Sequence, residues 1–249
     1  MRILLFFLLV ASTAFSQVNQ TDAKGKKQGP WVKTFPNSKV VQYKGQFKDD
    51  VPVGQFVHYY PTGEIRMVVD HVPNSPRSYV TFYFKNQEVM TEGQYWNQQR
   101  DSIWANFDPG GYVLNVETYK NDVLNGKRTT FFVQTQEAEG KLAVMSEVEY
   151  KNGVQDGPYK EFFSNGKVKK TGQYVAGKEI GEWKEYNMEG ALIGKMRYKN
   201  GLLHGWAYAY DKKGTEINKI FFHNGIELKG QELDIFLETC RKNKVDPNQ

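Results

Sequence analysis

The chain repeats itself with a period of 24 residues, and that period restricts its fold more than any motif inside it. With an aromatic residue as the anchor, the series is Phe47, Tyr95, Tyr119, Tyr150, Tyr174, Tyr198 and Phe222, in steps of 48, 24, 31, 24, 24 and 24. The first step is two periods with His71 at its midpoint, and the step of 31 is one period with seven residues inserted. Seven residues past each anchor stands a small residue: Gly54, Ser78, Ser102, Gly126, Gly157, Gly181 and Gly205, with Gly29 in the same role at the start. Nine past it a large aromatic recurs in Phe56, Trp104, Tyr159 and Trp183, with Trp31 equivalent in the first unit. Sixteen past it comes a second glycine, in Gly63, Gly111, Gly166, Gly190 and Gly214.

The two turn positions differ in chemistry. One reads PTG, PGG, SNG, MEG and KKG, and the other carries Asn152-Gly153, Asn200-Gly201 and Asn224-Gly225. Asn-Gly tolerates the positive φ angles of a tight hairpin, because glycine has no Cβ and asparagine is the next most permissive residue. Each unit is therefore expected to be two short strands with tight turns at both ends. Eight units fill residues 29–226, after a lead-in at 17–28 and with an insertion near 133–142. Ile65, Met67, Val69 and His71 alternate as one face of a second strand, and Leu192, Gly194, Met196 and Tyr198 do the same. In the first strands the aromatic pairs are three apart, as in Trp183 and Tyr186, or Phe56 and Tyr59. That spacing implies either a bulge or aromatics on both faces.

The cadence G-x-W-x-x-Y, N-G, as in GEWKEYNMEGALIGKMRYKNG, resembles the MORN-repeat variant family, which includes bacterial proteins labelled YwqK-type antitoxins. The resemblance covers nearly the whole chain beyond residue 16, and the residues that carry it are turn glycines and packing aromatics. It implies an all-β fold of tandem hairpins in one elongated antiparallel sheet. It also implies roles in protein association, membrane-associated scaffolding or toxin neutralisation. Two units depart from the pattern. One has Val80 at the aromatic position and follows HVPNSPRS, with Pro73 and Pro76 unable to donate to a ladder. The other has Arg128 at that position and carries the acidic insertion QTQEAEG. Sixteen strands at a spacing of ~4.8 Å would give a sheet on the order of 75 Å long. After the repeats, Leu233, Phe236, Leu237 and Cys240 fall at helical spacing, so residues 227–249 are expected to form a short capping helix and tail.

The N-terminus reads as a cleaved secretory signal over residues 1–16. Arg2 precedes the apolar run Ile3 to Val10, and Ala14-Phe15-Ser16 is a small-x-small site with cleavage between Ser16 and Gln17. The apolar run is shorter than the ~20 residues of a spanning helix. Export to the periplasm, the envelope or the exterior is the expectation, with no membrane anchor remaining after cleavage. Cleavage removes one basic residue from a formal charge of +5, and the remaining excess is spread along the chain without a dense basic stripe, which argues against nucleic acid. The single Cys240 has no internal disulfide partner.

Several tempting motifs lose their force in the repeat register. GQYVAGKE, residues 172–179, matches G-x-x-x-x-G-K but has Glu179 where a Mg²⁺-binding Ser or Thr belongs. Gly45-Gln46-Phe47 and Gly93-Gln94-Tyr95 hold the same repeat position without the following Gly-Lys. His58, His71, His204 and His223 are far apart in sequence, with His71 at a packing anchor and His223 placed in a turn. Asp70-His71 with Ser78 suggests a hydrolase but lacks a nucleophile elbow. The expectation is thus a protein without catalytic, metal or cofactor residues that binds another protein. A glycan or cell-wall ligand and a toxin-neutralising role are the alternatives, and end-to-end pairing of open sheet edges is a further possibility. Trp96 and Trp206, outside the usual aromatic register, and Arg128 are the candidate contact residues.

Overall fold

The turn chemistry of the repeat becomes a meander in the computed structural model, which describes residues 17–133 and 142–248. Residues 1–16, where a signal is expected, and residues 134–141 of the insertion lie outside the described residues. Among the described residues nineteen strands form one antiparallel sheet in which consecutive strands pair, except that Leu202–Leu203 and Gly205–Tyr210 both pair with Leu192–Lys199. The excess over sixteen has three sources: a two-residue strand at Gln20–Thr21, a terminal one at Ile226–Leu228, and the division of one repeat strand into Leu202–Leu203 and Gly205–Tyr210. One helix, Gly230–Lys242, follows the last strand.

At one end of the hairpins the turns hold two residues, both with positive φ. Asn152 and Gly153 stand at +51° and +83°, Asn200 and Gly201 at +53° and +83°, and Asp49-Asp50, Asn97-Gln98 and Asn121-Asp122 do the same without glycine. These are the type I′ turns whose twist matches that of the strands they join. At the other end the loop is longer and closes on a single left-handed residue, Gly63 at +102° or Gly190 at +90°. Beside each of these loops the register slips, as between Glu185 and Tyr186, and Ile193 is left without a partner on the adjacent strand. Gln87 fills this glycine slot in the third unit at +70°, and its side-chain amide bonds both the N–H and the C=O of Ile65 in the preceding hairpin.

The small residue seven past the anchor marks a second irregularity. Ile180 faces Gln173 and Lys184 faces Thr171, so residues 181–183 together oppose Gly172. Gly181 sits at φ +64°, and Gly29, Gly54, Gly126, Gly157 and Gly205 are also left-handed. Ser102 adopts φ +60° at the same point, where a Cβ is strained. Ser102→Gly is therefore expected to stabilise the chain by about 1 kcal/mol, visible as a higher Tm in thermal melts, and an unchanged or lower Tm would contradict this origin for the glycine pattern. Ser78 departs from the expected equivalence. His71 pairs with Ser78 and Met67 with Phe82 in unbroken register, so this unit has no bulge. Its two additional residues enlarge the turn instead, where the Val72 N–H bonds the Arg77 C=O around Pro73–Pro76.

The three-residue spacing of aromatics resolves as aromatics on both faces. Phe56 and His58 contact Tyr43 on one face, while Lys44 lies over Tyr59 on the other. Trp183 contacts Tyr174 and Tyr198 on the first face, and Tyr208 stacks on Tyr210 on the second. The sheet is a single layer, so burial comes from neighbours on the same face. Among the described residues only Phe56, Val80, Trp104, Val148, Trp183 and Phe221 are fully buried hydrophobic side chains. The helix lies over the second face at the C-terminal end. Phe236 reaches Phe221 at 5.4 Å and His223 at 4.6 Å between ring centroids. His223 thus ends the strand Glu216–His223 beneath the helix, with the turn beginning at Asn224, which corrects its placement in a turn.

Candidate functional site

The first face carries a ladder of rings, and three glycines in ordinary backbone conformation explain how it is seated. A Cβ on Gly172 would lie 2.0 Å from Trp183 Cδ2, one on Gly93 would lie 2.3 Å from Trp104 Cδ2, and one on Gly45 would lie 2.5 Å from the Phe56 ring. The ring eleven residues further on lies flat on each bare glycine. Gly172, the first residue of the phosphate-loop-like stretch, is therefore the floor beneath an indole. Ala176 and Gly177 form a two-residue turn between strands Val168–Val175 and Lys178–Tyr186, and no helix follows that could meet an anion with its N-terminus. The edges of neighbouring rings close the ladder: Tyr174 and Tyr198 meet Trp183 at 5.2 and 5.9 Å in T-shaped geometry, and Tyr95 and Tyr119 meet Trp104 similarly. Burial pushes the Tyr159 hydroxyl up to about 12, with Glu161 adding to it, and raises Tyr95, Tyr119, Tyr174 and Tyr198 in the same direction, so the ladder stays neutral.

The same pair of positions changes together in the irregular units. Where Val80 replaces the large ring, Val69 replaces the glycine. Where Arg128 replaces it, Glu117 stands in the glycine position, with Arg128 Nε 3.3 Å from Glu117 Oε1. Where Ala207 replaces it, Met196 stands in the glycine position. Arg128 is thus a rung of the ladder held by an ion pair. At Val69 and Val80 two small side chains stand where a ring would lie; Val80 is buried, and Val69 lines a cleft of about 1180 Å³ on the ladder face. Phe47, Tyr43, Phe56 and His58 line one side, with Met67 and Val69 central, and Tyr95 and the loop Val72–Pro76 on the other side.

No protein-family model matches the chain, and no curated protein matches it. Among solved structures, a mutant of TarM from S. aureus in complex with Fondaparinux, alpha-GlcNAc-glycerol and UDP aligns at 13% identity and a TM-score of 0.25, over 60% of this chain and 21% of that one. A porin-like protein from Bacteroides uniformis aligns at 10% identity and a TM-score of 0.16, over 79% of this chain and 91% of that one. The chain thus spans about a fifth of the TarM protein, and at these scores neither likeness carries an argument.

The polar residues near the cleft do not form the hydrolase set that their sequence order suggests. His71 is T-shaped against Phe56 on the ladder face, whereas the adjacent Asp70 points to the other face and accepts a bond from Gln55 Nε2 at 3.0 Å. Ser78 sits directly across from His71 in the ladder register and is buried. Burial holds His58 and His71 below the ordinary imidazole value of 6.5, with Arg66 and then His71 adding to the effect on His58, and Asp70 partly opposing it on His71. His223 is lowered by burial, His204 and Lys199. The unfolded chain binds protons on these rings below 6.5 while the folded chain resists them. Their contribution is complete above 6.5 and is lost as the pH falls through the lower folded values. The Tm is expected to drop between about pH 7 and about pH 5, and the double variant His58→Phe/His71→Phe should show a flatter profile. An identical profile in both proteins would refute this origin.

The structure separates the candidate contact residues. Trp96 is 39% exposed on the face opposite the ladder, with the Arg77 guanidinium 5.8 Å from its ring. Trp206 is on that face too, half-buried against Phe221 at 5.2 Å, with Lys219 Nζ over its ring. Sequence reasoning singled out neither the cleft nor the seating glycines. The signal was the paired change at positions eleven apart, which is invisible until one knows that they stack.

Proposed function

We propose that the chain is an exported MORN-variant repeat protein that acts as a protein-binding scaffold without chemistry of its own. The observation that carries this reading is the open sheet: the helix Gly230–Lys242 packs at one end, no other described element covers the rest of either face, and the described residues include only six fully buried hydrophobic side chains. A face this extended, with a ring-lined cleft where the ladder lacks a ring, offers shape and apolar area to a macromolecule. The signal-like N-terminus supports export, and no described helix is long and apolar enough to cross a membrane.

The test is in-cell crosslinking from a photoreactive residue at Met67, with a C-terminal tag, on cytosolic, envelope and culture-medium fractions. One dominant protein adduct in the envelope or medium, lost in a control carrying Val69→Trp, supports the reading. Adducts with cell-wall glycan alone would replace it with a glycan-binding role. A tight partner confined to the cytosol would overturn export and favour an antitoxin-like role.

A further inference from the structure

The rim formed by the two-residue turns carries a second regularity, on the face opposite the ladder. In the last rung before the turn, an exposed lysine stands directly across from an exposed aliphatic residue: Lys48 opposite Val51, Lys120 opposite Val123, Lys151 opposite Val154, Lys178 opposite Val175, and Lys199 opposite Leu202. Four of these rungs are consecutive along the sheet. Other lysines of the same face are paired, Lys127 with Glu147 and both Lys184 and Lys195 with Glu182. None of the five rim lysines takes part in an ion pair among the described residues.

The carboxylates of this rim are committed elsewhere. Asp50 accepts the Lys27 N–H at 2.8 Å, Asp122 the Arg100 N–H at 2.9 Å, and Asp156 the Ala176 N–H at 3.3 Å. Each bridges adjacent hairpins through backbone, so the lysines beside them keep their ammonium groups turned to solvent.

We propose that this rim binds an acidic, extended segment of a partner protein with one carboxylate in every three residues. Successive rungs are two strand spacings apart, about 9.6 Å. A polyproline II segment advances about 9.3 Å in one turn of three residues. Such a segment laid along the rim presents carboxylates to Lys120, Lys151 and Lys199 in step and apolar side chains to Val123, Val154 and Leu202; at the third rung lysine and valine exchange strands, so Lys178 stands one strand spacing out of step and reaches its carboxylate along the rim. Four rungs engage about ten residues of it. Charge complementarity selects the acidic partner, and the aliphatic row distinguishes a mixed acidic and apolar polypeptide from a bare polyanion. The inference rests on the protein-binding reading and adds the partner's chemistry.

A fluorescent peptide of about fifteen residues repeating Glu-Pro-Val, which favours polyproline II, tests this on the full-length mature chain by anisotropy. Binding should weaken as salt rises, and the variant Lys120→Gln/Lys151→Gln/Lys178→Gln/Lys199→Gln should bind at least about tenfold more weakly with an unchanged Tm. Equal binding by that variant would overturn the proposal, as would equal binding of a peptide of the same composition with its glutamates clustered. Phosphatidylglycerol vesicles that bind the chain when the peptide does not would reassign the rim to a lipid surface. A crosslinked envelope partner unaffected by the four substitutions would sink the rim and leave the scaffold reading intact, whereas the absence of any protein partner would sink both.

Discussion

Gly172→Val is expected to destabilise the folded chain by about 3–5 kcal/mol, the range for displacing a large buried aromatic. The backbone of Gly172 is unstrained, so the effect is steric: even a Cβ would lie 2.0 Å from the indole of Trp183, which is 1% exposed and has nowhere to retreat. Trp183→Val alone should cost about 3 kcal/mol, because it leaves a cavity over a bare glycine. The double variant reproduces the Val69 and Val80 rung that the chain already uses. It should therefore be less destabilised than the sum of the two singles by at least about 1 kcal/mol. Urea unfolding of the four proteins, read by Trp104 and Tyr signals together with hydrogen exchange over residues 168–199, measures the cycle. Additivity within about 0.5 kcal/mol would mean that the two residues do not act as a stacked pair, and the size matching along the ladder would lose its explanation.

Phe221→Ala is the second large effect, at about 3–4 kcal/mol. Phe221 is 1% exposed, meets Trp206 edge-on at 5.2 Å, and supports Phe236 of the helix. The helix has 13 residues and no fully buried one, and a helix of this length is marginal without tertiary contacts. Truncating its platform should therefore release residues 230–242 to fast amide exchange while the first six hairpins keep their protection, since each repeat is supported by its neighbours. Phe236→Ala should free the helix at a smaller cost to the strand below. Retained protection of the helix in Phe221→Ala would show that other contacts dock it.

Much of the fold was legible because turn geometry is local. The Asn-Gly pairs, the left-handed glycines and the strand alternation each depend on a few adjacent residues, so hairpins and their period could be read directly. The helix was legible for the same reason, since Leu233, Phe236, Leu237 and Cys240 fall on one side of a single element. What could not be read was the partition of the first-strand aromatics between two faces. The spacing of Trp183 and Tyr186 is compatible with a bulge or with two faces, and only the pairing register separates these. The unit at Ser78 was misread as a glycine-slot equivalent because sequence spacing counts residues without saying whether two extra ones sit in a bulge or in the turn.

The sequence by itself determined the repeat, its turns and the all-β class, because backbone sterics at Gly and Asn act within three or four residues. Only the tertiary structure decided that a glycine eleven residues before an aromatic is its seat, that Asp70 and His71 belong to different faces, and that four of the rim lysines fall in consecutive rungs with no acidic partner among the described residues. Those relations depend on which strands lie side by side and in what register. Register is a property of many hydrogen bonds taken together, and no single stretch of the chain encodes it.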